Sequence, residues 1–359
     1  MNRVLGDTLI GHDNSSEESF VFEGDSVLIR RYLWGLYQGV AIKVSYERFS
    51  RAKGFLYGST LPDDMKGCLY LADHQRPVTL VGNTRLAGDV FAPATGLQAG
   101  AIGGLSFSGA RLTEGRVLVS GAELPPIQPA GLAYLYALAD NAATITNASA
   151  VPDSLSNGSA AAAYDLAFAG PVYLRQQLAG KIVIRSDTLI EVGRTAALAD
   201  IILVAPVIHL ESGFHGRLQA FATRQLLVDD SCVLDYPSAL VVINKSGGAF
   251  RTACTVGRAC MIGGTILSLA PAPDHHGSTV KLASHTIVEG VVYVNGDLSL
   301  GATVYGTVAT DWFIHTTPST VYENYLNDIS INRRLISRYF IGSPFFNASQ
   351  TRKIIQWLD

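Results

Sequence analysis

The feature that most restricts the fold is an internal repeat between residues 181 and 234. The segments Asp187-Thr-Leu-Ile-Glu-Val192, Pro206-Val-Ile-His-Leu-Glu211 and Arg224-Gln-Leu-Leu-Val-Asp229 can be laid over one another. Each is preceded by a second β-type run (Lys181–Arg185, Asp200–Val204, Leu218–Ala222) and followed by a third short element (Ala196–Leu198, Gly213–His215, Cys232–Leu234). A unit of roughly 20 residues made of such short runs cannot bury its apolar side alone, and needs a copy on either side. Side chains alternate within each run. Ile182 and Ile184 are expected inward with Lys181, Val183 and Arg185 outward, and Leu189 inward between Thr188 and Ile190. The runs are too short and too rich in β-branched residues for an amphipathic helix. The expected fold class is all-β, a parallel β-helix (solenoid).

The same texture extends in both directions. Thr286–Val308 reads as short strands broken by Gly290, Gly296, Gly301 and Gly306, and Leu80–Phe91 with Gly103–Gly109 is similar. The β-helix is therefore placed at residues 76–310, with an insertion at about 123–178. That insertion contains Pro125, Pro126, Pro129 and a short helix over Gly131–Asp140, then a Ser/Asn/Ala-rich loop through Ser159. Residues 1–75 form a β-rich N-terminal cap, with strands at Ser26–Arg30 and Gly39–Val44. Residues 311–359 form a C-terminal capping segment, with helices expected around Tyr322–Leu335 and Arg352–Leu358. Caps are required because an open end exposes core and unpaired strand edges.

Hydrophobic residues make up 48% of the chain and charged residues 16%, with 35 glycines, a balance that suits many short strands joined by tight turns. The formal net charge is −3, which gives no footprint for nucleic acid. None of the four cysteines forms a CxxC pair, and the bland reading is buried thiols acting as small apolar residues. A bridge between Cys254 and Cys260 needs a turn between them. No stretch reaches the ~20 apolar residues that span a bilayer, and the start lacks the apolar core of a signal peptide.

Two resemblances can be placed on residues. Val288–Val308, with its Gly-Asp-Leu and Tyr-Gly-Thr-Val turns, resembles the bactofilins, bacterial β-helix proteins that polymerise. A longer set is similar to a group of uncharacterised, Bacteroidetes-type, membrane-anchored envelope proteins with a β-helix: Arg31–Tyr37, Leu69–Asp73, Arg76-Pro77, Val81–Asp89, Gly213–Thr223, Leu234–Ala239, Tyr339–Pro344 and Trp357. This resemblance implies a location at the cell envelope, periplasmic or surface, and an N-terminal transmembrane helix that the chain as given lacks. It implies no activity.

Glu191, Glu211, Asp229 and Asp230 recur at similar places on successive repeats and are expected to form an outward ladder, with Arg185, Arg217 and Arg224 nearby. Adjacent turns, about 4.8 Å apart, could bring two carboxyls to the spacing of a glycosidase pair. Stacked solvated charges also keep a solenoid soluble and block sideways association. Asp274-His275-His276 lies in a polar turn without a third ligand at recognisable spacing. His209 is expected exposed on its strand. His285 with Gly290 and Gly296 resembles the hexapeptide acyltransferases, but the six-residue repeat is not sustained. No nucleophile elbow, phosphate loop or dinucleotide fingerprint occurs, so no catalytic residue, cofactor or metal is expected. Tyr32, Trp34, Tyr37, Trp312 and Phe313 are candidate aromatic contacts for a partner or a sugar ring, Trp34 and Trp312 foremost.

These readings favour a non-enzymatic structural or assembly component of the bacterial envelope, with protein partners or self-association. The alternatives are a carbohydrate-active β-helix enzyme (polysaccharide lyase or hydrolase) and a glycan-binding protein.

Overall fold

The computed structural model describes residues 15–22, 24–140, 150–245, 251–270, 277–346 and 352–358. The chain is all-β, with the helix Pro129–Leu138 as its α-helical element among the described residues.

Most strands belong to one closed network of almost entirely parallel pairs. The repeat read from the sequence sets the register. Ile184, Leu203, Ala220, Leu240, Ile266 and Val292 follow one another as register partners, each fully buried. A second file runs Ile190, Ile208, Leu226, Cys254, Val280 and Leu298. A third runs Leu234, Ile262, Val288, Val304, Ile331 and Leu86. All three files meet in one aliphatic interior, and each fully buried Leu, Ile or Val in it contributes on the order of 1.5–3 kcal/mol. The long strand Ala197–Leu210 pairs in turn with Gln177–Gly180, Ile182–Ser186 and Leu189–Val192, so three short strands of one level become one bent strand in the next. Ile190, not Leu189, enters the interior. Leu189 is half-buried, because its run pairs through Ile190 with Ile208.

Spatial order does not follow chain order. Val308 pairs with Leu69, Ile331 with Leu86 and Leu326 with Leu80, and Leu69 then pairs with Val90. Residues 69–119 therefore stack beyond the C-terminal strands. The segment expected as an insertion opens the other end: Ser154–Asn157, Tyr164–Phe168 and Val172–Leu174 pair in parallel with the strands that follow them.

Four strands, β1 (Ser15–Phe22), β2 (Asp25–Trp34), β3 (Tyr37–Tyr46) and β4 (Phe49–Ser59), form an antiparallel sheet completed by Arg352–Leu358. The near end of this sheet lies on the outside of the stack. Trp34, Leu36, Tyr37 and Leu56 pack there against Val183, Ile202, Val204 and Phe221, together with Leu135, Phe345 and Phe346. Val183 does point outward as expected, yet it is only 5% exposed, because this second layer covers it. Gln219 locks the layers together: its Oε1 accepts from the Leu36 amide (2.8 Å) and its Nε2 donates to the Trp34 carbonyl (3.0 Å).

Residues 120–138 strap along the same face. The Tyr70 hydroxyl donates to the Glu123 carbonyl and that of Tyr293 to the Pro125 carbonyl. The Gln128 amide donates to Phe345. Pro129 starts the helix at its first turn, where no amide is needed. At the other end Arg185 donates to the Leu138 carbonyl (2.9 Å), placing a cation on the negative pole of the helix.

The two C-terminal helices expected from sequence are not helices. Residues 321–332 form the strands Val321–Glu323, Tyr325–Asn327 and Ser330–Asn332, with a single 3-10 turn at Arg333–Leu335. Arg352–Leu358 is an edge strand on β4. Both segments have a free ladder edge beside them, and pairing with it outweighs weak local helix propensity. Part of the Ser/Asn/Ala-rich loop (141–149) and the Asp274-His275-His276 turn lie outside the described residues.

Candidate functional site

The carboxylate ladder exists in modified form. Glu211 and Asp229 occupy equivalent corners of successive levels, their amides donating to Val192 and Leu210. Glu191 sits two residues earlier and is the register partner of His209. Arg175 bridges Glu191 (3.2 Å) and Glu211 (2.6 Å), and His209 lies between Glu191 (3.8 Å) and Asp229 (2.9 Å). Asp230 accepts from the Arg258 amide at 2.7 Å. Every one of the four carboxylates is thus engaged by a cation, a histidine or a backbone amide. The Arg194 amide and the Arg175 guanidinium hold Glu211 below the usual carboxylate range, the reverse of what a general acid requires. This edge acts as a cross-turn clasp, worth at most about 1 kcal/mol per exposed pair.

The two tryptophans are not free contacts. Trp34 is buried between sheet and stack, its Nε1 donating to the Asp200 carbonyl at 3.2 Å. Trp312 is half-buried, with His74 stacked on its ring at 4.5 Å and Arg76 beside it. Tyr32, Tyr37 and Phe313 are buried as well. Their burial follows from the docking of the antiparallel sheet and residues 69–76, which no local pattern announces.

The four cysteines are unbridged and buried. Cys254 faces Leu226 and Val280, away from Cys260. Cys260 instead meets Cys232 one level away, where Val233 and Met261 are register partners. The Cys232 thiol donates to the Glu211 carbonyl and the Cys260 thiol to the Asp229 carbonyl, each at 3.2 Å.

The best-formed cavity among the described residues, about 260 Å³, lies between β2, the strand Arg352–Leu358 and the first levels of the stack. Its walls include Tyr32, Ser159, Lys181, Asp200, Arg217, Gln356 and Trp357. Asp200 is the hub. It occupies a β-bulge between Ala199 and Ile201 and has φ +63°, a conformation uncommon for a side-chain-bearing residue and one found disproportionately at functional sites. Its carboxylate takes a two-pronged contact from Arg217 (2.6 and 2.8 Å) and a third bond from Gln356 Nε2 (3.1 Å). A second bulge, between Ile354 and Gln356, turns Gln356 toward it. Lys181 is 8% exposed, donates to the Ala161 carbonyl (2.9 Å) and lies 3.7 Å from the centre of the Tyr32 ring. No carboxylate pairs with it among the described residues, and burial, aided by Arg30, lowers its pKa to about 8. Tyr32 Oη and Gln356 Oε1 lie in the wall without a hydrogen-bond partner among the described residues.

Sequence reading placed Lys181 outward and named Arg217 only as a neighbour of the ladder. Asp200 carried no signal, because a bulge shows only once the register is known. The described residues contain no group of three or more His, Cys, Asp or Glu side chains able to hold a metal ion. No helix described is long and apolar enough to cross a membrane.

No family model matches the chain, and no curated protein matches it. Among solved structures it is matched by the competence-associated pilin ComZ from Thermus thermophilus, at 10% identity and a TM-score of 0.30, over 96% of this chain and 88% of that one. A likeness at that level carries neither fold nor role across.

Proposed function

We propose that this protein is a non-enzymatic assembly component of the bacterial cell envelope, in which a parallel β-helix serves as a rigid scaffold for contacts with further copies of itself. The β-helix reading is supported by the level-by-level register. Between residues 154 and 316 the strands pair in parallel with those of the neighbouring repeats, and one long strand turns across three shorter ones. The envelope reading rests on the resemblance of the sequence to envelope proteins.

The observation that carries the assembly reading is the antiparallel sheet, whose two outer strands have no further partner strand among the described residues. One edge, β1, carries Glu17 and Glu18 and no basic residue. The opposite edge, Arg352–Leu358, carries Arg352 and Lys353 and no acid. Glu17 and Glu18 are already paired with Arg30 and Arg31 of β2, so the fit rests on the unpaired backbone groups of the two edges, which can meet those of a second copy in a head-to-tail contact that propagates. Both hairpins end in exposed apolar side chains at the same end of the sheet: Val21 and Phe22 on one, Tyr46 and Phe49 on the other. Burying these adds a hydrophobic contribution to the same contact.

Sedimentation velocity across a wide concentration range tests this. Concentration-dependent growth is the expected result. A monomer at every concentration, or turnover of a polysaccharide substrate, would overturn it.

A further inference from the structure

At its far end, beyond the part that docks on the stack, the antiparallel sheet has two unlike faces. The register fixes which side chains share each one. Phe22 is opposite Asp25 and Tyr46 opposite Phe49, and two residues further in Phe20, Val27, Val44 and Arg51 form the next row. Side chains alternate along a strand, so Phe20, Phe22, Val27, Val44, Tyr46 and Phe49 lie on one face. It is the face that carries Ile29, Val40 and Phe55, turned away from the stack. The row between them, Val21, Ser26, Ser45 and Ser50, lies on the other face and is mostly hydroxyls. Phe22, Tyr46 and Phe49 are 57–65% exposed. An exposed apolar surface with a polar rim marks a contact surface.

The rim is basic, although the chain as a whole carries a formal charge of −3. Lys43, Arg48, Arg51 and Lys53 of the β3–β4 hairpin are exposed, against one acid, Glu47. None of the four cations forms an ion pair among the described residues. Arg48 lies 5.7 Å from the centre of the Phe49 ring, and Arg51 and Lys53 share the outer face with it. The acids of that face at this end are Asp25 and Glu18, and Arg31 engages Glu18 at 3.5 Å.

We propose that this end of the sheet docks on an anionic lipid surface. Phe22, Tyr46 and Phe49 enter the headgroup layer, and Arg48, Arg51 and Lys53 meet lipid phosphates. Aromatic side chains at headgroup depth with cations beside them are the pattern of segments that lie in a bilayer interface. Cations that no acid holds in place suit a fluid layer of phosphates better than the fixed carboxylates of a protein partner. Penetration stops at the headgroups, because β1 and the 49–53 part of β4 have no outer partner strand among the described residues, and their backbone groups need water. A strand added by a second copy extends the sheet in its plane and leaves this outer face open, so the proposal stands whether or not the protein assembles.

The test is co-sedimentation of the full chain with vesicles of phosphatidylcholine alone, and of phosphatidylcholine with about one third phosphatidylglycerol. Binding is expected to be at least about tenfold tighter to the anionic vesicles and to weaken with added salt. The triple variant Phe22→Ser, Tyr46→Ser, Phe49→Ser changes only exposed positions. It is expected to lose at least about tenfold of that affinity with an unchanged circular dichroism spectrum. Arg48→Glu with Arg51→Glu is expected to abolish the preference for anionic vesicles. Met261→Ser, at an exposed apolar position on the stack, is expected to bind like the parent. A monomer that binds anionic vesicles supports this proposal and refutes self-assembly, so the two fail separately. Absence of binding to anionic vesicles, equal binding to both compositions, or unchanged binding by the folded triple variant would overturn it. So would loss of self-association in the triple variant with no vesicle binding by the parent, which assigns the surface to a second copy.

Discussion

Replacing Gly290 with alanine is expected to cost about 2–5 kcal/mol, because three glycines stack at one corner of the parallel network. Gly264, Gly290 and Gly306 are successive register partners. A Cβ on Gly290 would lie 1.9 Å from the Gly264 carbonyl oxygen and 2.9 Å from a ring carbon of Phe340. Carbon and carbonyl oxygen ordinarily approach to about 3.3–3.6 Å, so the chain would have to move by well over 1 Å. Neighbouring levels are held about 4.8 Å apart by their hydrogen bonds, and a shift of that size breaks one or two of them, at about 1 kcal/mol each. Gly290 also has φ +151°, and holding a side-chain-bearing residue in such a region adds about 1–3 kcal/mol. Gly96→Ala is the control. It has φ +77° and nothing within 4 Å of its would-be Cβ, so only the backbone term remains, about 1–2 kcal/mol. Urea unfolding of both variants followed by circular dichroism makes the comparison. A Gly290→Ala protein no less stable than Gly96→Ala would refute the claim that close approach of successive levels, rather than backbone conformation alone, excludes a side chain here.

Other outcomes follow from groups in the walls of the structure. Lys181 has a pKa of about 8 in the folded chain and 10.5 as an ordinary lysine, so between those values the unfolded state holds the extra proton and stability rises with pH; Lys181→Met should remove that rise between pH 8 and 10 in urea midpoints. Asp311 moves the other way. Burial, with Asp297 and Glu123 nearby, raises it to about 7, the folded state keeps a proton that the unfolded chain releases above about 4, and stability falls from pH 4 to 7. Asp311→Asn should flatten that fall and leave the protein more stable at pH 8. Cys232 and Cys260, one level apart, should join under a thiol oxidant such as diamide, each losing its proton and together giving two electrons to the reagent. Mass spectrometry of an unreduced digest should find that bridge, with Cys68 and Cys254 still reduced; a bridge to Cys254 would contradict the register.

The period of two showed which side chains enter the interior in the runs Lys181–Arg185 and Pro206–Glu211, but in Asp187–Val192 the expected phase was off by one, and Ile190 rather than Leu189 points in. Repetition of those runs determined that equivalent residues stack, because a strand buries an apolar face only against a like neighbour. The glycine corners at 290 and 306 and the helix near residue 131 were legible for the same reason: each depends on residues close in sequence. What surrounds the outward faces was not legible. Val183, Trp34 and Tyr32 are buried because a sheet built from both chain ends docks on the stack, a contact between residues far apart in sequence that no local pattern encodes. The placement of residues 69–119 beyond the C-terminal levels, the strand at 352–358 and the meeting of Lys181, Asp200 and Gln356 in one cavity belong to the same class. Periodicity assigns a residue to a face, but the partner on that face is chosen by long-range packing, and only the tertiary structure decided it.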